Sequence, residues 1–298
     1  MDTKINLALV GFGKFGKKYY QNIKIDKRFD LKVIFKKSPK NINKISRKFS
    51  IQEIKKNNIQ AAIICTPVGT HYKLAKIFIT KKIPIILEKP ASTSYNNIYK
   101  LLKLSKKKNS SVIVNHSDFH NQCFEAILSK KKLIGKINFI EGFFGNYNKD
   151  YKNHKDLLKD WIPHPLSLII SLIGNINKVE INNKSSSFKK KSIKMPELFK
   201  IKLIFNKKIK SEITIWNTKK RKKRQLIVYG QNGLINYDGC NPNKNFIKFK
   251  NTIINFQSKI TPMQNILTKF YKTINAKKFV SDLPLALQIE NINSKIKF

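Results

Sequence analysis

The sequence predicts an α/β fold in which a doubly wound parallel sheet is followed by an α+β domain with a large, mostly antiparallel open sheet. Up to Asn115, five short apolar runs alternate with segments whose apolar residues recur three and four positions apart. That alternation is the pattern of βαβ units. Beyond Asn115, longer strand-like runs follow one another as in an antiparallel sheet. We therefore predict two domains, 1–117 and 118–298.

The first domain has five predicted strands, each a short apolar run. They are Ile5–Val10, Leu31–Phe35, Ala61–Cys65, Ile83–Leu87 and Ser111–Asn115. Between the first two, Phe15, Tyr19 and Ile23 are spaced to share one face of a helix. Strands that are apolar throughout are buried on both sides, so helices should cover both faces of this sheet.

The second domain mixes helices with longer strands. Predicted helices are Cys123–Leu133, Pro165–Ile173, Met263–Asn275 and Leu285–Ile296, and a polar loop covers 148–159. Predicted strands are Lys136–Tyr147, Lys178–Ser187, Glu197–Phe205, Lys210–Asn217, Gln225–Tyr229, Gly233–Tyr237 and Phe246–Phe256. The dense basic block Lys219–Arg224 lies between two of these strands and predicts a solvated hairpin tip.

The formal charge of +44, from 61 basic and 17 acidic residues, would suit a nucleic-acid-binding protein. Only four of the basic residues are arginine, however, the residue that reads base edges with two hydrogen bonds. The lysines are also spread from end to end among many Asn, Ile and Phe residues, as A/T-rich codons favour. We therefore predict compositional drift and no specific nucleic-acid partner.

The remaining composition indicates a globular cytoplasmic protein. No apolar run approaches the ~20 residues that cross a bilayer, so we predict no membrane association. The three cysteines, Cys65, Cys123 and Cys240, have neither disulfide nor zinc spacing. His116 and His120 lie four residues apart, but no further ligand has suitable spacing, so we expect no metal.

Three glycines at G-x-G-x-x-G spacing follow the first predicted strand and precede an amphipathic segment. Gly11 would permit a tight turn, Gly13 would let the backbone approach a pyrophosphate, and Gly16 would allow close helix packing. The alternative is an ordinary glycine-rich turn. The context favours a dinucleotide site, to which the loop residues Phe12, Lys14 and Phe15 also belong.

Two further patterns place ionisable residues where chemistry occurs in such folds. Glu88, Lys89 and Pro90 follow the fourth strand, at the edge where open α/β sheets bind ligands. Asp160 and His164 lie four apart ahead of an apolar helix, where a carboxylate could hold a histidine base. The alternatives are a plain loop start for the first pattern, and a helix cap with a packed histidine for the second.

Together these motifs are similar to those of the glucose–fructose oxidoreductase/inositol dehydrogenase (Gfo/Idh/MocA) family. The chain resembles this family over essentially its full length. The matching segments are VGFGKFG, CTPVGTHYKLA at Cys65–Ala75, LEKP, D-W-I-P-H at Asp160–His164, and VYGQNGLINYDG at Val228–Gly239. Their order and spacing are far more specific than any one of them.

The resemblance implies a Rossmann domain that binds NAD or NADP and a second domain whose sheet often forms a dimer interface. It also implies hydride transfer between nicotinamide and a sugar, cyclitol or sugar-derivative alcohol or ketone. Lys89, Asp160 and His164 correspond to the family's catalytic residues: Lys89 would stabilise the oxyanion, and Asp160 would orient His164, which exchanges the proton. The resemblance further implies that Thr66, Pro67 and His71 line the cofactor and that Glu88 lies near the nicotinamide ribose.

The sequence also departs from this pattern. Ser167 replaces the acid found three residues after the histidine in many relatives, and 115–118 read Asn-His-Ser-Asp where many have arginines. In the family these positions tend to shape the substrate pocket, so the resemblance does not indicate which substrate this protein uses. A non-catalytic NAD(P)-binding sensor or regulator on the same scaffold is the alternative function.

The end of the second strand bears on which dinucleotide is used. An NAD-selective site places an acid there, whereas this strand ends in Lys36, Lys37 and Ser38, and the nearest acid, Asp30, precedes it. A lysine and a hydroxyl can bind a 2′-phosphate that an acid would repel. We therefore predict a preference for NADP over NAD.

Overall fold

The computed structural model describes residues 4–37, 45–147, 151, 154–174, 176, 178–187, 197–217 and 222–296. The chain forms two compact units. The first runs to Asn115 and includes Met263–Leu287, and the second comprises His116–Pro262 and the residues from Gln288 onward. The predicted boundary after residue 117 lies close to this division, whereas the return of Met263–Leu287 to the first unit is not predicted by the sequence pattern.

The first unit contains a six-stranded parallel sheet. Its strands are β1 (Ile5–Val10), β2 (Phe29–Phe35), β3 (Ser46–Arg47), β4 (Ala61–Ile64), β5 (Ile85–Glu88) and β6 (Val112–Asn115), in the order β3-β2-β1-β4-β5-β6. Helices α1 (Lys14–Ile25), α2 (Ile51–Lys56), α3 (His71–Thr80) and α4 (Tyr95–Lys108) connect them. The strand order reverses direction between β1 and β4, which confirms the doubly wound fold.

Both faces of this sheet are buried, as the apolar runs predict. Alternate residues of β1 enter different apolar clusters: Ile5 and Leu7 pack in one, and Ala8 and Val10 in the other. The strands therefore form the middle layer, and their carboxyl ends lie at one edge of the unit.

The second unit contains an eight-stranded sheet. Its strands are β7 (Ile137–Gly145), β8 (Val179–Ser187), β9 (Glu197–Phe205), β10 (Ile209–Trp216), β11 (Lys223–Gly230), β12 (Gly233–Asp238), β13 (Asn245–Phe249) and β14 (Thr252–Phe256). Their order is β14-β13-β12-β11-β7-β10-β9-β8, and every pairing is antiparallel except that of β7 with β10.

This sheet confirms the predicted mostly antiparallel architecture but corrects two details. The predicted strand Phe246–Phe256 is a hairpin, because β13 and β14 pair with each other. Strands β10 and β11, between which the basic block Lys219–Arg224 falls in sequence, do not form a hairpin, because β7 lies between them. Part of that block, 219–221, lies outside the described residues.

Helices α5 (Gln122–Lys130), α6 (His154–Trp161) and α7 (Pro163–Ile173) lie wholly within the second unit. Helix α6 falls in the predicted polar loop. It forms because Leu157, Leu158 and Trp161 give an otherwise polar segment one apolar side, and all three are buried.

The last two helices are α8 (Pro262–Asn275) and α9 (Leu283–Asn293). The α8 side chains Ile266, Leu267 and Phe270 are fully buried in the cluster that contains Ile5 and Leu7. Helix α8 therefore supplies part of the cover over one face of the parallel sheet. Among the helices that the structure describes, none is long and apolar enough to span a membrane.

Candidate functional site

The glycine loop lies where the strand order of the parallel sheet reverses. The Gly11 amide donates to the Phe35 carbonyl oxygen at 2.8 Å, and the Cys65 amide donates to the Val10 carbonyl oxygen at 2.8 Å. Gly11 has a φ of +99°, and a Cβ there would lie 2.8 Å from the Cys65 carbonyl carbon. Only glycine satisfies both the conformation and the close approach.

The other two glycines differ in what surrounds them. A Cβ on Gly16 would collide with the Gly11 carbonyl oxygen, so this glycine lets α1 pack onto the loop. A Cβ on Gly13 would meet no atom within 4 Å. Gly13 is thus not needed by the fold, and the space beside it fits a group that approaches the backbone from outside, as a pyrophosphate does.

Helix α1 begins without a cap. Side chains of Ser50, Ser94 and Asn121 accept hydrogen bonds at the starts of α2, α4 and α5, whereas Gly13 has no side chain to do so. The first turn of α1 contains no acid and begins with Lys14. Open amide donors, the helix dipole and a lysine together favour an anion at this point.

The residues of this loop differ in how exposed they are to solvent. Gly13, Lys14 and Phe15 are exposed, and Phe15 is 44% exposed despite its apolar ring. Phe12 is half-buried and packs edge-on against Tyr20, with the ring centroids 5.6 Å apart. The exposed set lies at the start of α1, so these residues are the ones available to a dinucleotide.

The loop after β4 is tied to the loop after β5 through His71. Its Nε2 lies 2.7 Å from the Thr66 carbonyl oxygen, and its Nδ1 lies 2.9 Å from the Pro90 carbonyl oxygen. Burial lowers the pKa of this imidazole, although both backbone contacts oppose that shift. His71 is 1% exposed, so the structure gives it a bridging position, beside Thr66 and the exposed Pro67.

Glu88 ends β5 and is buried beside β6. Its Oε1 accepts from Asn115 Nδ2 at 2.6 Å, and the same Nδ2 donates to the Tyr19 hydroxyl oxygen at 2.8 Å. Burial raises the pKa of Glu88, with the Asn115 and Tyr19 hydrogen bonds and the Lys89 charge acting in the opposite direction. Lys89, the next residue, is half-buried at the carboxyl edge of the sheet.

The end of β2 carries the basic residues predicted to select NADP. Lys36 is half-buried and Lys37 is exposed, while Ser38 lies outside the described residues. The Lys36 amide donates to the Arg47 carbonyl oxygen at 3.0 Å, because β3 runs beside the end of β2. Arg47 is thereby a third basic residue at this edge, which the sequence pattern did not single out.

In the second unit, the carboxylate that holds His164 is Asp118. His164 Nδ1 lies 2.7 Å from Asp118 Oδ2, and these side chains are 6% and 3% exposed. Asp160 is exposed, and its Oδ2 accepts from the Tyr151 hydroxyl at 2.6 Å. Helix α6 ends between Asp160 and His164, and Nδ1 is held by Asp118, a residue distant in sequence.

Asp118 is surrounded by donors. Its Oδ2 also accepts from Arg224 Nη1 at 3.3 Å, and its Oδ1 accepts from the Tyr237 hydroxyl at 3.0 Å. Burial alone would raise the pKa of Asp118, but the Arg224 charge and the hydrogen bonds from His164 and Tyr237 outweigh it and hold that pKa well below its usual range. Arg224 is therefore half-buried and paired with a carboxylate, and it is not part of a solvated tip.

Two positions where the sequence departs from the family pattern have structural roles. Ser167 Oγ donates to the His164 carbonyl oxygen at 2.8 Å within α7. Arg224 Nη1 also donates to Ser117 Oγ at 3.0 Å, so β11 supplies a guanidinium to the loop where many relatives carry arginines. Within the described ranges, no three His, Cys, Asp or Glu side chains are arranged to hold a metal ion.

Residues 5–116 match the Gfo/Idh/MocA group, described as an oxidoreductase family with an NAD-binding Rossmann fold. A sequence search of curated proteins finds no match.

Solved structures share the fold over nearly the whole chain. UDP-N-acetylglucosamine 3-dehydrogenase GnnA from Acidithiobacillus ferrooxidans has a TM-score of 0.84 at 15% identity, covering 98% of this chain and 96% of its own. An NAD-binding oxidoreductase from Klebsiella pneumoniae has a TM-score of 0.81 at 13% identity, covering 99% and 96%. Biliverdin reductase from Synechocystis sp. PCC 6803, solved with biliverdin and NADP+, has a TM-score of 0.74 at 17% identity, covering 97% of each chain. Residues 5–116, which contain all six strands of the parallel sheet, therefore match the NAD-binding Rossmann domain of the Gfo/Idh/MocA oxidoreductases.

Proposed function

We propose that this protein is an NAD(P)-dependent oxidoreductase that transfers a hydride between nicotinamide and a sugar, cyclitol or sugar-derivative alcohol or ketone. The observation that carries this proposal is the buried imidazole of His164, whose Nδ1 is held at 2.7 Å by Asp118. A fixed histidine is suited to exchange a hydroxyl proton while a hydride leaves the adjacent carbon. The similar fold of a bilin reductase shows that the fold alone does not choose the substrate.

The dinucleotide would be held by the glycine loop. Gly11 and Gly16 shape the loop, while Gly13, Lys14 and the open amides of α1 would receive the pyrophosphate. Thr66 and Pro67, with His71 beneath them, and Glu88 would border the rest of the cofactor. The chemistry supplied by the dinucleotide is acceptance or return of a hydride at the nicotinamide ring.

The protein's own residues would handle the reacting oxygen. In the oxidation direction the substrate O–H bond breaks, its proton passes to His164, and the C–H bond breaks with its electron pair leaving as hydride. Lys89 would donate a hydrogen bond to the oxygen as negative charge develops on it. Asp160, exposed and held by Tyr151, would accept a hydrogen bond from a substrate hydroxyl.

Two further proposals concern cofactor choice and assembly. Lys36 and Lys37, joined by Arg47, support a preference for NADP, because cations at the end of β2 favour a 2′-phosphate. We also infer that the chain forms a homo-oligomer through the open face of its eight-stranded sheet.

The test is a dehydrogenase screen over sugars, sugar acids and cyclitols with both cofactors, followed by kinetics of Lys89→Ala and His164→Ala. We expect each variant to lose about 10²- to 10⁴-fold in kcat, because each acts on the reacting oxygen. Dinucleotide affinity, measured by calorimetry, should remain nearly unchanged. Lys76→Ala, at an exposed position in the middle of α3, is the control and should keep its kcat.

Wild-type kcat in both variants on the true substrate would show that the residues are wrongly assigned. Tight dinucleotide binding with no turnover of any substrate would instead support the non-catalytic sensor or regulator.

A further inference from the structure

We propose that Asp118 is the positioning residue for proton transfer, fixing His164 with its proton on Nδ1 so that the substrate proton is exchanged at Nε2. The inference rests on the proposed function, because it concerns the histidine assigned there. It replaces Asp160 as the orienting carboxylate, and it adds Arg224 and Tyr237 as the groups that keep Asp118 in place.

The first step concerns the contact itself. Asp118 Oδ2 lies 2.7 Å from His164 Nδ1, within the range of a charge-assisted hydrogen bond, and both side chains are over nine-tenths buried. An ionised carboxylate accepts hydrogen bonds and cannot donate them. If Asp118 is ionised, Nδ1 therefore carries the proton.

The second step shows why Asp118 is ionised although it is buried. Arg224 Nη1 lies 3.3 Å from Oδ2, and the Tyr237 hydroxyl lies 3.0 Å from Oδ1. Burial and the Asp118 charge raise the pKa of Tyr237 well above its usual value, so this phenol stays neutral and donates. One cation and two further donors thus stabilise the carboxylate, which offsets the cost of burying it.

The third step concerns the other groups that surround His164 and Asp118. The Trp161 ring lies 5.6 Å from the His164 ring, and the Arg224 guanidinium lies 5.5 Å from the Trp161 ring centroid. Gly239 approaches so closely that a Cβ there would lie 2.5 Å from Asp118 Oδ1. The carboxylate is thus confined on several sides, and its orientation determines that of the imidazole.

The chemical consequence follows from the tautomer. With the proton on Nδ1, a neutral His164 has its lone pair on Nε2 and can form an N–H bond there as the substrate O–H bond breaks. The imidazolium that results remains next to the Asp118 carboxylate, which stabilises its charge. In the reductive direction the Nε2 proton would return to the substrate oxygen, and the dinucleotide, when bound, would supply the hydride.

The experiment uses the full chain with ¹⁵N-labelled histidine and the variant Asp118→Leu. Leucine has a similar size but no hydrogen-bond acceptor, so Nδ1 would lose the group that holds its proton. We expect ¹⁵N NMR to show an Nδ1–H tautomer in the wild type and a shift toward the Nε2–H tautomer in the variant. On the substrate found in the screen, kcat should fall by about 10²- to 10⁴-fold with dinucleotide affinity unchanged.

Asp238→Leu is the matched control. Asp238 is a carboxylate of the same unit, 9% exposed, that accepts from the amides of Cys240 and Asn241. Its substitution should lower stability without changing the His164 tautomer. A purely structural Asp118 would behave in the same way as this control.

An Nε2–H tautomer in the wild type overturns the proposal even if Asp118→Leu fails to fold. An unchanged tautomer and kcat in a folded Asp118→Leu protein overturn it as well. If the wild type turns over no substrate, the proposed function fails, yet the NMR measurement still decides whether Asp118 fixes the imidazole.

Discussion

At the scale of single residues, the three glycines of the first loop have different structural roles, although they form one motif in the sequence. Gly11 occupies a backbone conformation with φ of +99°, and Gly16 touches the loop that it follows. Gly13 alone faces open space. Substitutions at Gly13 and Gly16 therefore separate cofactor binding from folding.

We expect Gly13→Val to weaken dinucleotide binding about tenfold or more, because its side chain takes the space proposed for the pyrophosphate. Its free energy of unfolding should change by no more than about 1 kcal/mol, the usual effect at a helix N-cap. Gly16→Ala should instead destabilise the protein by about 1–3 kcal/mol through overlap with Gly11. Calorimetric titration measures the dinucleotide affinity, and denaturant unfolding measures the stability. If Gly13→Val binds the dinucleotide as tightly as the wild type, the glycines form only a structural turn.

The residues that sequence reasoning missed were missed for a physical reason: their contacts are non-local. Asp160 and His164 are close in sequence, so their pairing is easy to predict, but the contact to Nδ1 comes from Asp118, 46 positions away. Arg224 was missed because it belongs to a dense run of basic residues, a pattern that predicts exposure to solvent. A carboxylate soon after the last parallel strand was the available signal, since that edge binds ligands.

At the scale of elements, apolar runs predict the strands of the parallel sheet well because those strands are buried on both faces. Two short elements, β3 and α2, carry too few apolar residues to show a period. In the second unit, the insertion of β7 between β10 and β11 depends on non-local pairing, which local patterns do not encode. The packing of α8 onto the first unit is non-local for the same reason.

The pairing of β3 with β2 bears on cofactor choice, since it brings Arg47 beside Lys36. We expect kcat/KM for NADP(H) to exceed that for NAD(H), and Lys36→Asp to reverse or abolish the preference by repelling the 2′-phosphate. Lys76→Asp makes the same charge change on α3 and should leave the ratio unaltered. The prediction would be contradicted if the wild type had a kcat/KM for NAD(H) equal to or above that for NADP(H), and if neither Lys36→Asp nor Lys37→Asp changed this ratio.

At the scale of the whole molecule, a net charge of +44 opposes association of two copies. The open face of the eight-stranded sheet carries acidic side chains among its lysines. It displays Glu141 and Glu212, and the latter lies 3.6–3.9 Å from the ammonium groups of Lys200 and Lys202. Half-buried aromatic residues, including Phe143, alternate along β7 with buried ones, while α5 and α7 lie against the opposite side of the sheet.

We therefore predict a homo-oligomer whose association strengthens as salt is raised, because the Debye length falls from about 10 Å at 0.1 M to about 3 Å at 1 M and screens the like charges. Phe143→Asp should shift the mass measured by sedimentation or light scattering toward the monomer while the protein remains folded. Tyr99→Asp, which alters a 39% exposed aromatic residue on α4, should not shift it. A wild type that stays monomeric at every salt concentration would refute the assembly, and an unchanged mass for Phe143→Asp would refute this face as its interface.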